Sequence, residues 1–307
     1  MSHRLPRAIA QVLESPSWPG TIPRPAKERN IGIAYDTSWA RSPFLRATRE
    51  LLTDAVTVPL TRLATSPLHL GAEHLEGLKP PVIFVSNHAS HLDTAVIISA
   101  LPERFRHHTV VAAAADYFFD RAWKARLSSL ALGAIPVERT RVNRKSADLA
   151  AELIDEGWNL ILYPEGGRSP DGWGQVFRGG AGYLAKRCSV PVVPMHLRGV
   201  RPVFPKGGAI LRPGKVEVRF GEALWPLDDE RTTEDARRFA ARIEAAVAVL
   251  ADEAESDWWS ARLRKARGTT PPIRGPEVSS WRRAWALPDS AQRFVRRREK
   301  ASEQPWK

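Results

Sequence analysis

Pro81-Val82-Ile83-Phe84-Val85-Ser86, running straight into Asn87-His88-Ala89-Ser90-His91-Leu92-Asp93, is the stretch on which the reading of this chain turns. The first six residues form a short apolar run, the pattern of a buried strand. Just beyond it stand a histidine and a carboxylate five positions apart. Such a pair suits a general base and the group that orients it. A regular helix turns about 100° per residue, so five positions would set the two side chains roughly 140° apart. They meet only if His88 occupies the strand-to-helix turn and Asp93 the first helical turn. Asn87 and Ser90 suit the capping of such a turn.

Working outward, apolar strand-like runs recur at 82–86, 109–113, 134–137, 159–163, 191–197 and 216–220. Helical patterns fall between or after them, at 91–100, 117–130, 145–156 and 181–187. A longer helix is expected over 232–253. There Ala236, Phe239, Ala240, Ile243, Val247 and Leu250 make one stripe, and Thr232 with Asp235 resembles a capping box. Alternation of this kind predicts an α/β fold, a central largely parallel sheet flanked by helices. Active sites in such folds gather at the carboxyl ends of strands. His88 and Glu165 each follow a predicted strand.

The second chemistry-bearing segment is Tyr163-Pro164-Glu165-Gly166-Gly167-Arg168-Ser169. Glycines let a backbone approach an anion, and arginine forks onto phosphate oxygens. Arg139 offers a further cation. No Gly-Lys-Ser/Thr follows the glycines, so this is not a nucleotide P-loop. Ser169-Pro170-Asp171-Gly172 is a strong turn signal.

Four blocks in order resemble those of the 1-acylglycerol-3-phosphate acyltransferase family. They are Asn87–Asp93, Gly133-Ala134-Ile135-Pro136-Val137-Glu138-Arg139, Tyr163–Ser169 and Val190-Pro191-Val192-Val193-Pro194. The resemblance covers roughly residues 68–225. It implies that His88 and Asp93 are the catalytic pair. It implies that Arg139, Glu165, Gly166, Arg168 and Ser169 hold a substrate phosphate, with Phe177, Arg178 and Gly180 continuing that loop. The fourth block is expected to be a core strand lining the acyl site. The family usually has threonine where this chain has Gly167. The implied reaction moves a fatty acyl group from acyl-coenzyme A or an acyl-carrier protein to lysophosphatidate, giving phosphatidate, with no cofactor or metal. Other lysophospholipid or polyol acceptors stay open. So does a hydrolase using the same histidine, although no Gly-x-Ser-x-Gly elbow is present. His91 reads as a local packing neighbour, since H-x-x-H-x-D is not a standard zinc spacing.

The ends have their own character. Of the net charge of +12, +9 falls in residues 261–307, where 13 Lys/Arg face 4 Asp/Glu. Trp258, Trp259, Trp281, Trp285 and Trp306 lie in or near this tail. Basic residues mixed with tryptophan suit an anionic membrane surface or nucleic acid, so a non-catalytic binding protein is the third reading; the resemblance favours the membrane. The expected domains are an extended N-terminal arm (1–43), an amphipathic helical segment (44–67), the acyltransferase domain (68–255) and a basic Trp/Arg-rich tail (256–307). The stretch 268–276 reads as a linker, and 280–300 as one more basic helix interrupted at Pro288. In the helical segment Leu45, Leu52, Ala55, Val56, Leu60 and Leu63 recur at helical spacing, and Pro59 should kink or split the helix. Residue pattern alone suggests packing on the core; the resemblance implies an interfacial helix. No stretch reaches the ~18 apolar residues of a spanning helix, and no secretory signal is visible. The expectation is a peripheral protein on the cytoplasmic face of the cell membrane. The single cysteine, Cys188, reads as small buried filler.

Overall fold

The structure, a computed structural model, describes residues 31–138, 144–204, 211–226, 233–279, 282–283 and 286–287. One sheet contains β1 (Leu68–Leu70), β2 (Ile83–Ser86), β3 (Thr109–Ala114), β4 (Ala134–Val137), β5 (Asn159–Leu162), β6 (Val192–Arg198) and β7 (Glu217–Phe220). Their order is β1-β7-β6-β2-β5-β3-β4. Strands β2 to β6 run parallel; β7 is antiparallel to β6, and β1 pairs parallel to β7. The six expected strands are present within a residue or two. β1 went unpredicted because it is three residues long on a sheet edge, with no apolar run to mark it. Every residue of β2 and of β5 is buried, as continuous apolar runs in a parallel sheet require.

The longer helices are α1 (Pro43–Leu52), α2 (Val58–Thr65), α3 (Asp93–Ala100), α4 (Ala122–Leu132), α5 (Arg144–Asp155), α6 (Gly180–Cys188), α7 (Thr233–Glu255) and α8 (Trp258–Arg267). Ile83, Val85, Leu160 and Leu162 face a core shared with α5, α6 and α7. Val82, Phe84 and Ile161 face the opposite core, filled by Val96 and Ile97 of α3. The chain therefore leaves β2 on one side of the sheet and β5 on the other. These two strands are neighbours, with Val85 beside Leu162. Divergent connections from adjacent parallel strands open a crevice at their carboxyl ends. The two chemistry-bearing segments both start there.

Residues 43–65 are helical throughout. Thr53–Thr57 form a π turn in which the Val58 N–H donates to the Thr53 carbonyl. Pro59 has no N–H to donate and its ring crowds the carbonyl four residues earlier. The wider turn absorbs both defects, so the expected split becomes a bulge. Polarity on this helix is inverted relative to a core helix. Arg49, Thr53, Thr61 and Thr65 are buried, whereas Phe44, Leu51, Leu60 and Leu63 are 60–79% exposed. The apolar stripe faces outward, which overturns the reading that it packs on the core. Asp54 ties the segment down, accepting from Arg106 at 2.5 Å and from His107 Nε2 at 2.8 Å.

The C-terminal region departs from expectation as well. Helix α8 follows α7 and is fastened to it by a two-pronged Arg264–Asp252 pair, 2.7 Å on each arm. Asp257 caps it by accepting from the Ser260 N–H. The supposed linker is packed structure: Ile273 is buried in the core with α7 and its carbonyl accepts from Gly174. Residues 1–30, and the expected basic helix apart from 282–283 and 286–287, lie outside the described residues.

Candidate active site

His88 and Asp93 meet as the sequence required. Residues 87–90 are irregular, Asp93 opens α3, and His88 Nδ1 lies 2.8 Å from Asp93 Oδ2. The same oxygen accepts from the Ala89 N–H at 2.7 Å and the Ser90 N–H at 2.8 Å. Asp93 is fully buried. Because Oδ2 already accepts two backbone N–H groups, the tautomer that fits donates from Nδ1 and leaves Nε2 to accept. Of the two expected caps, Ser90 serves: its hydroxyl accepts from the Leu92 N–H and donates to the Phe204 carbonyl. Asn87 does not. Its amide exchanges two hydrogen bonds with the backbone of Leu197, extending the β2–β6 ladder by a side chain.

The neighbouring loop, from Pro164 to Gly179, locks onto this turn. The Ser169 N–H donates to the His88 carbonyl at 2.8 Å. Glu165 Oε1 accepts from the His88 N–H at 3.0 Å and Oε2 from the Gln175 N–H at 3.2 Å. Burial pushes the Glu165 carboxyl up to about 8, against the pull of those two N–H groups. Tyr163 stacks on the His88 ring at 4.1 Å and 20°, and its hydroxyl pairs with Thr94 Oγ1 at 2.9 Å. Burial, reinforced by the Asp93 carboxylate, pushes the Tyr163 phenol well above its ordinary range, so it stays neutral. The imidazole is thus fixed at Nδ1, across one face and through its own backbone.

Below the imidazole opens a cavity of about 390 Å³. His88, Gly166, Gly167, Arg168 and Arg178 border it at one end, and Ala112, Ala114, Ala147 and Ala150 are among its apolar walls. The alanines 112–114 on β3 explain the space: small side chains stand where larger ones would fill the gap between the sheet and α5. Gly166 adopts φ +70°, the left-handed conformation that favours glycine, and a Cβ there would stand 3.1 Å from the mobile end of the Arg178 side chain.

The predicted anion-binding residues separate into two groups. Gly166 and Arg168 border the cavity. Glu165 and Ser169 do not; Glu165 braces backbone as above, and Ser169 Oγ accepts from the Gly172 N–H to close the turn. Arg139 lies outside the described residues, next to Glu138, which borders the cavity. The fourth block is core: Val192 and Val193 pair with Ile83 and Phe84, and the acyl-sized space is walled by β3, β4 and β5 instead. Tyr163, Thr94 and Gln175 support His88 and Glu165 without having been expected to. The aromatic ending β5 was a legible signal for Tyr163; nothing local marked Thr94 or Gln175.

A family profile described as Acyltransferase matches residues 67–198, which span all four blocks and the His88–Asp93 pair. The matched segment is similar to acyltransferases that act on 1-acylglycerol-3-phosphate. The chloroplastic 1-acyl-sn-glycerol-3-phosphate acyltransferase of Brassica napus is 28% identical over 170 residues, 54% of this chain and 47% of that protein. The corresponding Chlamydomonas reinhardtii protein is 30% identical over 185 residues, 58% of this chain and 53% of that one. The chain therefore spans about half the length of these curated relatives. A crystal structure of the 1-acyl-sn-glycerophosphate acyltransferase of Thermotoga maritima aligns at 23% identity and a TM-score of 0.48, covering 68% of this chain and 80% of that one. Gly167 borders the cavity without a hydroxyl. His91 packs locally as expected, stacked on Tyr117 at 5.5 Å. Burial and the nearby Arg168 lower its pKa to about 4, so it is neutral at pH 7. Burial raises the Cys188 thiol to about 11, which leaves no thiolate for attack. No helix among the described residues is long and apolar enough to cross a membrane.

Proposed function

We propose that this chain transfers a fatty acyl group from an acyl thioester to the free hydroxyl of lysophosphatidate. The observation that carries this reading is an imidazole held by Asp93 at the junction of an apolar cavity and a loop bearing Arg168 and Arg178. The acyl chain occupies the cavity, so its carbonyl carbon sits near His88. The acceptor's phosphate rests on the arginines and Gly166, and its hydroxyl points at Nε2. His88 takes the hydroxyl proton as the oxygen attacks the thioester carbon. Asp93 stabilises the imidazolium that forms. Collapse of the tetrahedral intermediate expels the thiolate, which recovers the proton from His88. No covalent acyl-enzyme is needed. Glu165 and Ser169 serve as braces for the loop.

Access to such lipids is supplied by the outward apolar face of α1 and α2. Phe44, Leu51, Leu60 and Leu63 would enter the acyl boundary of a bilayer, and Trp258 and Trp259, both more than half exposed, add amphipathic anchors. The enzyme would then work peripherally on an anionic membrane.

The deciding experiment is thiol release from labelled acyl-coenzyme A with a panel of lyso-acceptors, with and without liposomes. Wild-type protein should prefer lysophosphatidate, and His88→Ala should abolish transfer while melting normally. Near-normal turnover in that variant removes the mechanism; release to water without acceptor makes the protein a hydrolase.

A further inference from the structure

The anion-binding loop is 16 residues long, from Pro164 to Gly179, and has no regular secondary structure. Loops of that length inside compact domains are uncommon and need external anchors for their backbone. Its first half is tied to the catalytic turn through His88 and Glu165. Its far half, Pro170 to Gly174, leans on the C-terminal strap that follows α8. Gly174 donates its N–H to the Ile273 carbonyl at 2.9 Å. Trp173 Nε1 donates to the Arg283 carbonyl at 3.0 Å, and Arg283 returns a 2.9 Å ion pair to Asp171 while also holding the Pro276 carbonyl. Leu287 is buried against Gly172, and Gly275 passes so close to the Trp173 indole that a Cβ would fall 2.2 Å from the ring. Arg274 pairs with Glu244, whose other oxygen accepts from Phe177 of the same loop. A cleft between strap and loop is bordered by Glu165 and Arg178, and Arg178 also borders the catalytic cavity.

We propose that the strap, residues 271–279 with 282–283 and 286–287, is a positioning element that sets the anion-binding loop and thereby the enzyme's affinity for its phosphate-bearing acceptor. The chain of contacts runs from Arg283 to Trp173 and Asp171, along the backbone to Gln175, and through Glu165 to His88. This rests on the acyltransferase reading only in naming the acceptor; the bracing itself is independent of the reaction.

The test uses the full chain with Arg283→Ala, with Trp173→Phe as a milder break that keeps the ring and loses the Nε1 bond, and with Arg283→Lys, which keeps a cation for Asp171 and adds no cleavage site to the loop. Two readouts are taken below the melting temperature: trypsin cleavage after Arg168 and Arg178, followed by mass spectrometry, and steady-state kinetics. Cleavage should accelerate in Arg283→Ala and Trp173→Phe and return towards wild type in Arg283→Lys. Acceptor KM should rise about two- to fivefold, the scale of a partly exposed ion pair, with kcat and donor KM little changed. Unaltered cleavage overturns the bracing role. Faster cleavage with unchanged acceptor KM overturns the link to affinity. Faster cleavage in a protein that transfers no acyl group supports the brace and refutes the proposed reaction.

Discussion

His88 Nδ1 and Asp93 Oδ2 stand 2.8 Å apart, and that oxygen takes two further backbone N–H groups while Oδ1 is buried without a hydrogen-bond partner among the described residues. The carboxylate is therefore organised around a single oxygen. In Asp93→Asn the amide oxygen can keep all three bonds and place its NH2 at the Oδ1 position. Fold and tautomer survive, and only the negative charge that stabilises the imidazolium is lost. The expected result is a kcat lower by on the order of 10²–10⁴-fold, acceptor KM little changed and no drop in melting temperature. A kcat within a few-fold of wild type would show that no imidazolium forms in the rate-limiting step.

Glu165 gives a pH signature. Its folded-state pKa, about 8, lies above the ordinary 4.5, because burial penalises the charged form. Its contribution to stability is fully present below 4.5. Between 4.5 and about 8 the unfolded chain has released the proton and the folded chain has not, so stability falls as pH rises across that window. Glu165→Gln removes this titration but turns an NH2 towards one of the two N–H donors. The variant should be less stable near pH 5, and the gap to wild type should narrow by pH 8. Parallel melting curves across that range would refute the assignment.

How far these features were legible from residues alone depended on how local their causes are. Helix geometry and one apolar run set the condition under which His88 could meet Asp93, and the ordered motif blocks supplied the expectation that they do. That His88 and Glu165 each follow a strand marked one shared end of the sheet, but the pairing of β2 with β5 that brings them together was not legible in the sequence. Nor was the direction of Glu165: two backbone N–H groups 77 and 10 residues away capture its carboxylate, and no motif states that. The α1–α2 stripe was visible as a stripe, but periodicity marks a face without saying which way it points. The strap was read as a linker because Pro271, Pro272 and Gly275 signal irregular backbone. Irregular chain can still be packed, as Ile273 and Trp173 demonstrate.

Cavity size should govern acyl-chain length. Ala112 borders the space and shares a core with α5 and α6. In Ala112→Leu the added carbons displace the end of a long chain rather than core side chains. Each methylene denied burial costs about 0.8 kcal/mol, so kcat/KM for two chains differing by two methylenes should shift about tenfold towards the shorter. Competition between labelled acyl-coenzyme A species measures this. An unchanged profile would place the acyl chain elsewhere.

The exposed stripe makes the last prediction. Leu51 and Leu60 are 68% and 60% exposed and take no part in the core, so Leu51→Glu/Leu60→Glu should leave the melting temperature within a degree or two of wild type. If these side chains enter lipid, each loses a burial of about 1.5–3 kcal/mol, and affinity for vesicles should fall at least tenfold per site. Sedimentation with phosphatidylglycerol-containing vesicles reads the loss directly. Turnover of a short-chain, water-soluble lysophosphatidate should persist, because the cavity and the His88 turn are untouched. Raising salt separates the contributions: screening weakens attraction between basic residues and anionic lipid but leaves leucine burial intact. Vesicle binding that survives the double variant and vanishes in high salt would transfer the membrane contact from this helix to the basic tail.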